Sequence, residues 1–196
     1  MILGLTGTLG AGKGTVAEFL KRKGWLYFSL SDEVREEAKV NGIEITRENL
    51  QQLGNQLRAE QGNSILAQRA LKKIKNPADN YVIDGIRNIA EVQELKMLPS
   101  FYLIAVDAPQ QARFQRMLAR NRESDPKNLF DFLKVDAIDQ GQNQNESGQQ
   151  VAQCYELADC KLINDSSIER FNDKITFMIQ QLINKDALNG SAFKVV

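Results

Sequence analysis

Short apolar runs alternate with longer amphipathic stretches along this chain of 196 residues. Five of the runs are predicted to be buried strands, at residues 2–6, 25–29, 81–84, 101–106 and 161–164. Between them, apolar side chains recur at helical spacing, as at Val92, Leu95 and Leu98. Strands that alternate with helices form a parallel sheet covered on both faces. We therefore expect a single α/β domain, a three-layer α/β/α sandwich around a five-stranded parallel sheet.

Three segments depart from this alternation. Residues 46–75 have no strand signal and are predicted to form two helices broken near Gly62. Residues 141–150 contain no apolar side chain, so we expect them to be mobile and exposed. The longer segment 121–150 is predicted to be either a lid that closes over phosphates or a plain surface loop. Residues 186–196 are expected to be a frayed tail.

A glycine-rich loop follows the first predicted strand and precedes an amphipathic stretch. Glycines let a backbone turn so tightly that several N–H groups point at one anion, and the helix N-terminus adds its dipole. Lys13 is spaced to reach the outer phosphates. The order of strand, loop and helix predicts a site for a nucleoside triphosphate rather than a simple turn before a helix. Its expected contacts are Gly7, Gly10, Ala11, Gly12, Lys13, Gly14 and Thr15.

The composition excludes several classes of chemistry. The chain has no histidine, which rules out Ser-His-Asp and Cys-His catalysis and zinc sites with histidine ligands. Twenty-five acidic and 25 basic residues give no net charge, so nothing indicates a nucleic-acid or membrane partner. No apolar run approaches the ~20 residues of a membrane span, and we expect a cytoplasmic protein. Phosphoryl transfer remains, because it depends mainly on positioning, Mg²⁺ and cationic side chains.

The exact sequence of the glycine-rich loop narrows the class of nucleotide-binding protein. Gly14 stands where a Ser or Thr usually offers a hydroxyl to Mg²⁺, and Thr15 follows one place later. This variant resembles the loop of adenylate-kinase-type nucleoside monophosphate kinases. The resemblance implies ATP as phosphoryl donor and a Mg²⁺ held largely through waters and phosphates near Thr15. It also implies that residues 46–75 form an acceptor-binding insertion.

Asp84 is predicted to lie at the carboxyl end of the third strand, the edge where open α/β sheets bind ligands. A carboxylate at that edge can orient Mg²⁺ beside a triphosphate. The string Asp84-Gly85-Ile86-Arg87 resembles the Asp-Gly-x-Pro-Arg segment of the same kinases, without the proline. The resemblance implies that Arg87 grips the phosphate of the acceptor. A helix-capping aspartate followed by a surface arginine would explain the same residues.

The end of the second predicted strand offers a second acceptor contact. Ser31, Asp32 and Arg35 resemble the Gly-Asp-x-x-Arg part of a kinase segment whose arginine binds the acceptor monophosphate, with Ser31 in place of the glycine. Asp32 and Arg35 are therefore candidate substrate contacts, and Arg58 is a weaker one. A plain helix cap with a solvated arginine is the alternative.

The helix expected after the fourth strand carries arginines at positions 113, 116, 120 and 122. The spacing puts the first three on one face, where like charges repel unless an anion neutralises them. The resemblance implies that Arg116 stacks on adenine and that Arg120 stabilises the transferring charge. Arg113 has no counterpart in the family pattern, and Glu123 and Asp125 are candidate partners for it. A solvated basic face is the alternative interpretation.

Residues 158–167 resemble the Ala-Asp-x-x-x-x-Asn-x-Gly-Ser/Thr string of dephospho-coenzyme A kinases, in which this loop borders the adenine. By that resemblance Asn164 faces the base. Asp165 or Ser166 capping the last helix explains the same string equally well.

Three functions are compatible with these features. The first is ATP-dependent phosphoryl transfer to a nucleoside or deoxynucleoside monophosphate, with Lys13, Asp84 and Arg120 as catalytic residues. The second is a dephospho-coenzyme A kinase, whose hydroxyl acceptor would need a base such as Asp32. The third is a nucleotide-binding regulator or slow ATPase without a diffusible acceptor. The expected partner is a small molecule, and the sequence leaves a monomer and a homodimer equally open.

Overall fold

The computed structural model describes residues 1–121 and 125–188. Its five strands pair in parallel in the order β2-β3-β1-β4-β5, which confirms the predicted α/β sandwich. The strands are β1 (Ile2–Gly7), β2 (Leu26–Ser29), β3 (Tyr81–Asp84), β4 (Phe101–Asp107) and β5 (Cys160–Ile163). Each lies within one or two residues of its predicted bounds. The strand at the centre of the sheet is thus the one that leads into the glycine-rich loop.

Helices connect the strands and cover the sheet. In the described ranges they are α1 (Lys13–Lys21), α2 (Leu30–Val40), α3 (Arg47–Gln61), α4 (Ile65–Leu71), α5 (Ile89–Lys96), α6 (Gln110–Arg120), α7 (Leu129–Gln140), α8 (Val151–Glu156) and α9 (Ile168–Leu188). No helix within residues 1–121 and 125–188 is both long enough and apolar enough to cross a bilayer.

The two faces of the sheet bury separate apolar clusters because strand side chains alternate in direction. Leu3 and Leu5 of β1 pack with α1 and α9, whereas Ile2 packs with the layer of α2 to α5 and α8. A third, smaller cluster joins Leu9 of the glycine-rich loop to Met117 of α6 and Phe132 of α7. The loop is therefore fixed from the side by two helices as well as by the sheet below it.

The segment predicted to contain two helices does so. Helix α3 ends at Gln61 and α4 begins at Ile65, with Gly62 between them at a φ of 103°. That left-handed backbone favours glycine and stops α3. Thr46 caps the other end of α3 by accepting a hydrogen bond from the backbone N–H of Asn49. Both helices pack on the β2–β3 side of the sheet.

The expectation that residues 141–150 are exposed is wrong for part of the segment. Gly148 and Gln149 are buried. The Asn88 side-chain amide donates to the Gly148 carbonyl at 2.9 Å, and the Gln150 backbone N–H donates to the Arg87 carbonyl at 2.6 Å. Backbone groups and glutamine side chains of the segment both make hydrogen bonds to α3 and to the start of α5, and side-chain polarity alone does not predict such contacts.

The predicted tail begins too early. Helix α9 continues to Leu188, and Asp186 is buried, with a carboxylate that accepts a hydrogen bond from the Tyr102 hydroxyl at 3.0 Å. Buried polar groups are retained when they are paired in this way. The remainder of the predicted tail, residues 189–196, lies outside the described residues.

Arg113 is a buried structural residue, and its partner is Asp136 rather than Asp125. Its guanidinium contacts both carboxylate oxygens of Asp136, at 2.6 and 2.9 Å, and both side chains are nearly inaccessible. It also donates to the carbonyls of Leu9 and Ala108. Glu123, the other proposed partner, lies outside the described residues. The buried pair ties α7 to α6 and to the glycine-rich loop.

Replacing Asp136 with asparagine should lower the free energy of unfolding by about 3 kcal/mol, because the change removes the bidentate partner of the buried Arg113 charge and leaves only Asp107, whose Oδ1 atom lies 3.9 Å from the Arg113 Nε atom. Urea unfolding followed by circular dichroism measures the difference. Glu18→Gln is the control, since Glu18 forms an exposed ion pair with Lys21 at 2.7 Å and should change stability little. Equal effects of the two substitutions would show that the buried pair does not hold α7 in place.

Candidate active site

The carboxyl ends of the five parallel strands meet at one edge of the sheet. The glycine-rich loop follows β1 at the centre of this edge. Asp84 ends β3 on one side of the loop, and Asp107 ends β4 on the other. Ser29 and Asn164 lie at the ends of the outer strands β2 and β5. Sheet topology therefore gathers segments that are far apart in the sequence.

The loop has no room for a side chain at Gly7, where a Cβ would clash with the Val106 backbone, nor at Gly10 and Gly12. Gly10 has a φ of 78°, and a Cβ there would lie 2.6 Å from the Arg113 carbonyl oxygen. Gly12 has a φ of 109°, and a Cβ would lie 2.3 Å from the Asn164 Nδ2 atom. Both positions therefore require glycine for conformation and for space. Gly14 differs, because a Cβ there would meet nothing within 4 Å.

Asn164 and Arg116 brace the loop from the β5 side. The Asn164 Nδ2 atom donates to the Ala11 carbonyl at 2.9 Å, and the Arg116 guanidinium donates to the same carbonyl at 3.3 Å. Arg116 also donates to the Asn164 backbone carbonyl at 2.9 Å. The two residues expected from the sequence to border adenine thus lie together beside the loop. Their contacts within the protein were not foreseen from the sequence.

Lys13 bends back over its own loop. Its Nζ atom donates to the carbonyl oxygens of Gly7, at 2.6 Å, and Thr8, at 3.0 Å. Desolvation lowers the pKa of Lys13 from 10.5 to about 8, against a smaller opposing attraction by Asp84 and Asp139. The amine is half-buried over the loop, where a bound polyphosphate would favour its charged form.

Asp84 keeps one carboxylate oxygen unpaired at the sheet edge, as far as the described residues show. Its Oδ2 atom accepts a hydrogen bond from the Tyr27 hydroxyl at 3.0 Å, whereas Oδ1 is buried without a hydrogen-bond partner. Burial and the neighbouring Asp84 charge raise the pKa of Tyr27, so its hydroxyl remains a donor. Tyr27 lies in β2, and sequence reasoning overlooked it.

The available oxygen of Asp84 fits a divalent cation. A carboxylate oxygen is the ligand type that Mg²⁺ prefers, and the half-buried Thr15 lies in the first turn of α1. Among residues 1–121 and 125–188, no group of three or more metal-ligating side chains forms a closed site. A cation here would therefore depend on one carboxylate together with waters and substrate phosphates.

Four arginines from three segments line one small cavity of about 50 Å³. They are Arg35 of α2, Arg47 and Arg58 of α3, and Arg87 after β3. We refer to this cavity as the arginine pocket. The structure thus brings together the three arginines that the sequence singled out as acceptor contacts. Arg47 was missed, because the first residue of a helix in a polar stretch carries no motif.

Carboxylates position these arginines. Arg58 forms a buried pair with Glu91 at 2.9 Å, and Asp139 of α7 lies 3.2 Å from both Arg47 and Arg87. The Asp139 side chain is almost completely buried, and no local sequence pattern marks it as a member of the site.

Further contacts set the pocket rim. Asp32, a candidate substrate contact, is exposed and pairs with Arg35 at 2.6 Å. Arg87 also donates to the Ser31 hydroxyl at 2.8 Å. The Nε atom of Arg47 is buried and finds no hydrogen-bond partner in the part of the chain that the structure describes. The pocket therefore retains donor capacity after its internal pairs are formed.

The prediction that Arg113, Arg116 and Arg120 present one face to an anion is wrong for Arg113. Arg113 is buried against Asp136, and Arg120 donates two hydrogen bonds of 2.6 Å to Asp125. Partners within the protein therefore relieve the repulsion that spacing alone suggested. The fourth arginine of the cluster, Arg122, lies outside the described residues.

Sequence comparison agrees with this geometry. A family model described as an AAA domain matches residues 3–151, which include the glycine-rich loop and the arginine pocket. The chain belongs to this P-loop family. A UPF0200 protein of Pyrococcus abyssi is 33% identical over 189 residues, which cover 93% of this chain and 97% of that protein. The chain is thus also a member of the UPF0200 group of the archaeal relatives.

Solved structures agree on the fold of this P-loop protein. A shikimate kinase from Aquifex aeolicus superposes with a TM-score of 0.53 at 15% identity, covering 92% of this chain and 96% of that one. A gluconokinase from Sinorhizobium meliloti gives a TM-score of 0.53 at 12% identity, with 95% of each chain covered. At such identities the likeness shows the fold alone. The P-loop kinase-like fold expected from the sequence is confirmed.

The lowered pKa of Lys13 makes nucleotide binding a proton-coupled event. At pH 8 the amine is about half deprotonated, and a bound triphosphate should raise its pKa, so ATP binding should take up protons. ATP contributes little itself, because the pKa of a terminal phosphate is about 6. Calorimetric titration with ATP in buffers of different ionisation enthalpy measures the uptake.

Lys13→Arg is the matched control, because a guanidinium stays protonated throughout this range. The variant should bind ATP at pH 8 without buffer-dependent heat. Buffer-independent heats in the original protein would mean that Lys13 is already fully charged before ATP arrives.

Proposed function

We propose that this protein transfers the γ-phosphoryl group of ATP to a small acceptor that already carries a phosphate. A nucleoside or deoxynucleoside monophosphate is the first candidate. One observation carries the proposal: four arginines line a single cavity at the same sheet edge as the glycine-rich loop. The planar guanidinium fork matches the oxygens of a phosphate group.

The charge balance of the arginine pocket supports an anionic ligand. Its four guanidinium groups are opposed by three carboxylates, those of Asp32, Glu91 and Asp139. A buried donor without a partner, such as the Nε atom of Arg47, costs about 1–3 kcal/mol. A phosphate oxygen would satisfy that donor. We therefore assign Arg35, Arg47 and Arg87 to the acceptor phosphate and Arg58 to the pocket wall.

The donor triphosphate would lie on the backbone N–H groups from Gly10 to Thr15, with Lys13 on its outer phosphates. Asp84 and Thr15 would hold Mg²⁺, which would offset the negative charge of the phosphates. An oxygen of the acceptor phosphate attacks the γ-phosphorus, and the bond to the β–γ bridging oxygen breaks to release ADP. Such an acceptor is already an anion, so no general base is needed.

The remaining roles follow the family resemblance. We assign Arg116 and Asn164 to the adenine side of the loop, which both already border. Arg120 is proposed to stabilise the transferring charge, with Asp125 fixing its guanidinium. Residues 46–75 are proposed as the acceptor-binding insertion and residues 121–150 as the lid.

A hydroxyl acceptor such as dephospho-coenzyme A is the second candidate. The available Oδ1 atom of Asp84 favours it, because a hydroxyl nucleophile needs a carboxylate to take its proton. Asp32, the base expected from the sequence, is exposed and bonded to Arg35. Asp84 is therefore the better candidate for that role.

Coupled ATP consumption with Mg²⁺ and a panel of acceptors tests the proposal. The panel contains ribonucleoside and deoxyribonucleoside monophosphates and dephospho-coenzyme A. We expect rapid turnover with at least one monophosphate. Turnover with dephospho-coenzyme A alone would establish the second candidate. ATP binding without acceptor-dependent turnover would contradict both and leave a regulatory nucleotide-binding protein or slow ATPase.

Arg35→Met should raise the KM for the acceptor about tenfold or more, because one charge-assisted hydrogen bond to phosphate contributes about 1.5–3 kcal/mol. The KM for ATP should change far less. Steady-state kinetics with each substrate varied in turn separates the two effects. Arg22→Met, an exposed arginine at the end of α1, is the matched control. Equal changes in both KM values would remove Arg35 from the acceptor site.

A further inference from the structure

A second, larger cavity of about 590 Å³ lies between the beginning of α3 and helix α7. Its apolar walls come from Ile45 on one side and from Val135 and Ile138 on the other. We refer to it as the α3–α7 cavity. Its volume falls within the range of about 300–1,000 Å³ in which proteins bind small organic molecules.

Arg47 and Gln51 line both the α3–α7 cavity and the arginine pocket. Arg47 donates to Asp139 at 3.2 Å, and its buried Nε atom has no hydrogen-bond partner within residues 1–121 and 125–188. The wall that the two cavities share therefore contains an N–H group that can still donate a hydrogen bond to a ligand. A ligand whose phosphate contacts the arginines can extend past Arg47 into the larger space.

The polar lining of the α3–α7 cavity is rich in acceptors. The exposed carboxylates of Glu44, Glu48 and Asp131 and the buried one of Asp125 line it, together with two cations, Lys134 and Arg47. A carboxylate accepts hydrogen bonds and repels anions. The cavity therefore suits an uncharged group that combines apolar surface with N–H donors, and it disfavours a second phosphate.

Nucleobases differ in the number of N–H donors that they can offer to carboxylates. Cytosine and adenine carry an exocyclic amino group, whereas uracil and hypoxanthine carry a carbonyl oxygen at the same ring position, and carboxylates pair well with the cytosine amino group. We infer that the α3–α7 cavity holds the body of the acceptor and selects monophosphates whose base bears an exocyclic amino group. This inference rests on the proposed function and adds the class of acceptor.

Two matched ligand pairs test the selection. Full-length protein is saturated with a non-hydrolysable ATP analogue and Mg²⁺, so that acceptors cannot enter the ATP site. Calorimetry then compares cytidine with uridine monophosphate and adenosine with inosine monophosphate. We expect the amino-bearing member of each pair to bind at least tenfold more tightly, because its partner leaves carboxylates facing a carbonyl. Equal affinity, or preference for the carbonyl-bearing member, overturns the selection.

Filling the cavity tests its occupancy. Val135→Phe and Ile45→Phe enlarge opposite walls and should weaken cytidine monophosphate binding at least tenfold, while inorganic phosphate binding changes less than twofold. Leu133→Phe, an exposed position on the same helix outside the lining, is the control. Thermal unfolding of each variant verifies that it is folded. Because the two variants alter different walls, the test still works if one of them does not fold.

The outcomes separate this inference from the proposed function. If wild-type protein binds inorganic phosphate and nucleoside monophosphates, but neither wall variant weakens the monophosphate, the acceptor body lies elsewhere while the arginine pocket stands. If neither phosphate nor any monophosphate binds, the proposed function fails and the inference fails with it.

Discussion

The parallel alignment of β1 between β3 and β4 is the constraint on which the candidate site depends. It puts the glycine-rich loop at the middle of the sheet edge, with Asp84 on one side and Asp107 on the other. Both neighbours come from distant parts of the chain. Dense packing then fixes the loop conformation, because Gly10 and Gly12 press against Arg113 and Asn164. The anion-binding geometry is therefore built into the fold before any ligand arrives.

Helix α7 connects the two halves of the candidate site through two buried carboxylates three residues apart. Asp136 holds Arg113, which donates to the Leu9 carbonyl of the glycine-rich loop. Asp139 lies between Arg47 and Arg87 of the arginine pocket. Buried charges are costly unless they are paired, so these contacts restrict where α7 can lie. A displacement of α7 would consequently disturb the contacts of both the glycine-rich loop and the proposed acceptor site.

The sequence predicted the elements that depend on local periodicity or on turn-forming residues. Strand positions followed from apolar runs, the break between α3 and α4 from Gly62, and the phosphate loop from its glycines. The long-range ion pairs could not be predicted from the sequence. Arg47 and Asp139 are separated by 92 positions, and neither residue belongs to a motif. The packing of residues 141–150 was missed for a related reason: hydrogen bonds to distant residues hold the segment, and hydropathy does not register them.

The central claim is that the γ-phosphoryl group passes to an acceptor held by the arginine pocket. The most direct measurement follows ATP labelled in its γ-phosphate, with Mg²⁺ and the best-bound monophosphate, and asks where the label goes. The account predicts that the label appears in a nucleoside diphosphate made from the acceptor, in proportion to the ADP released. Label recovered only as inorganic phosphate, at a rate independent of the acceptor, would contradict it.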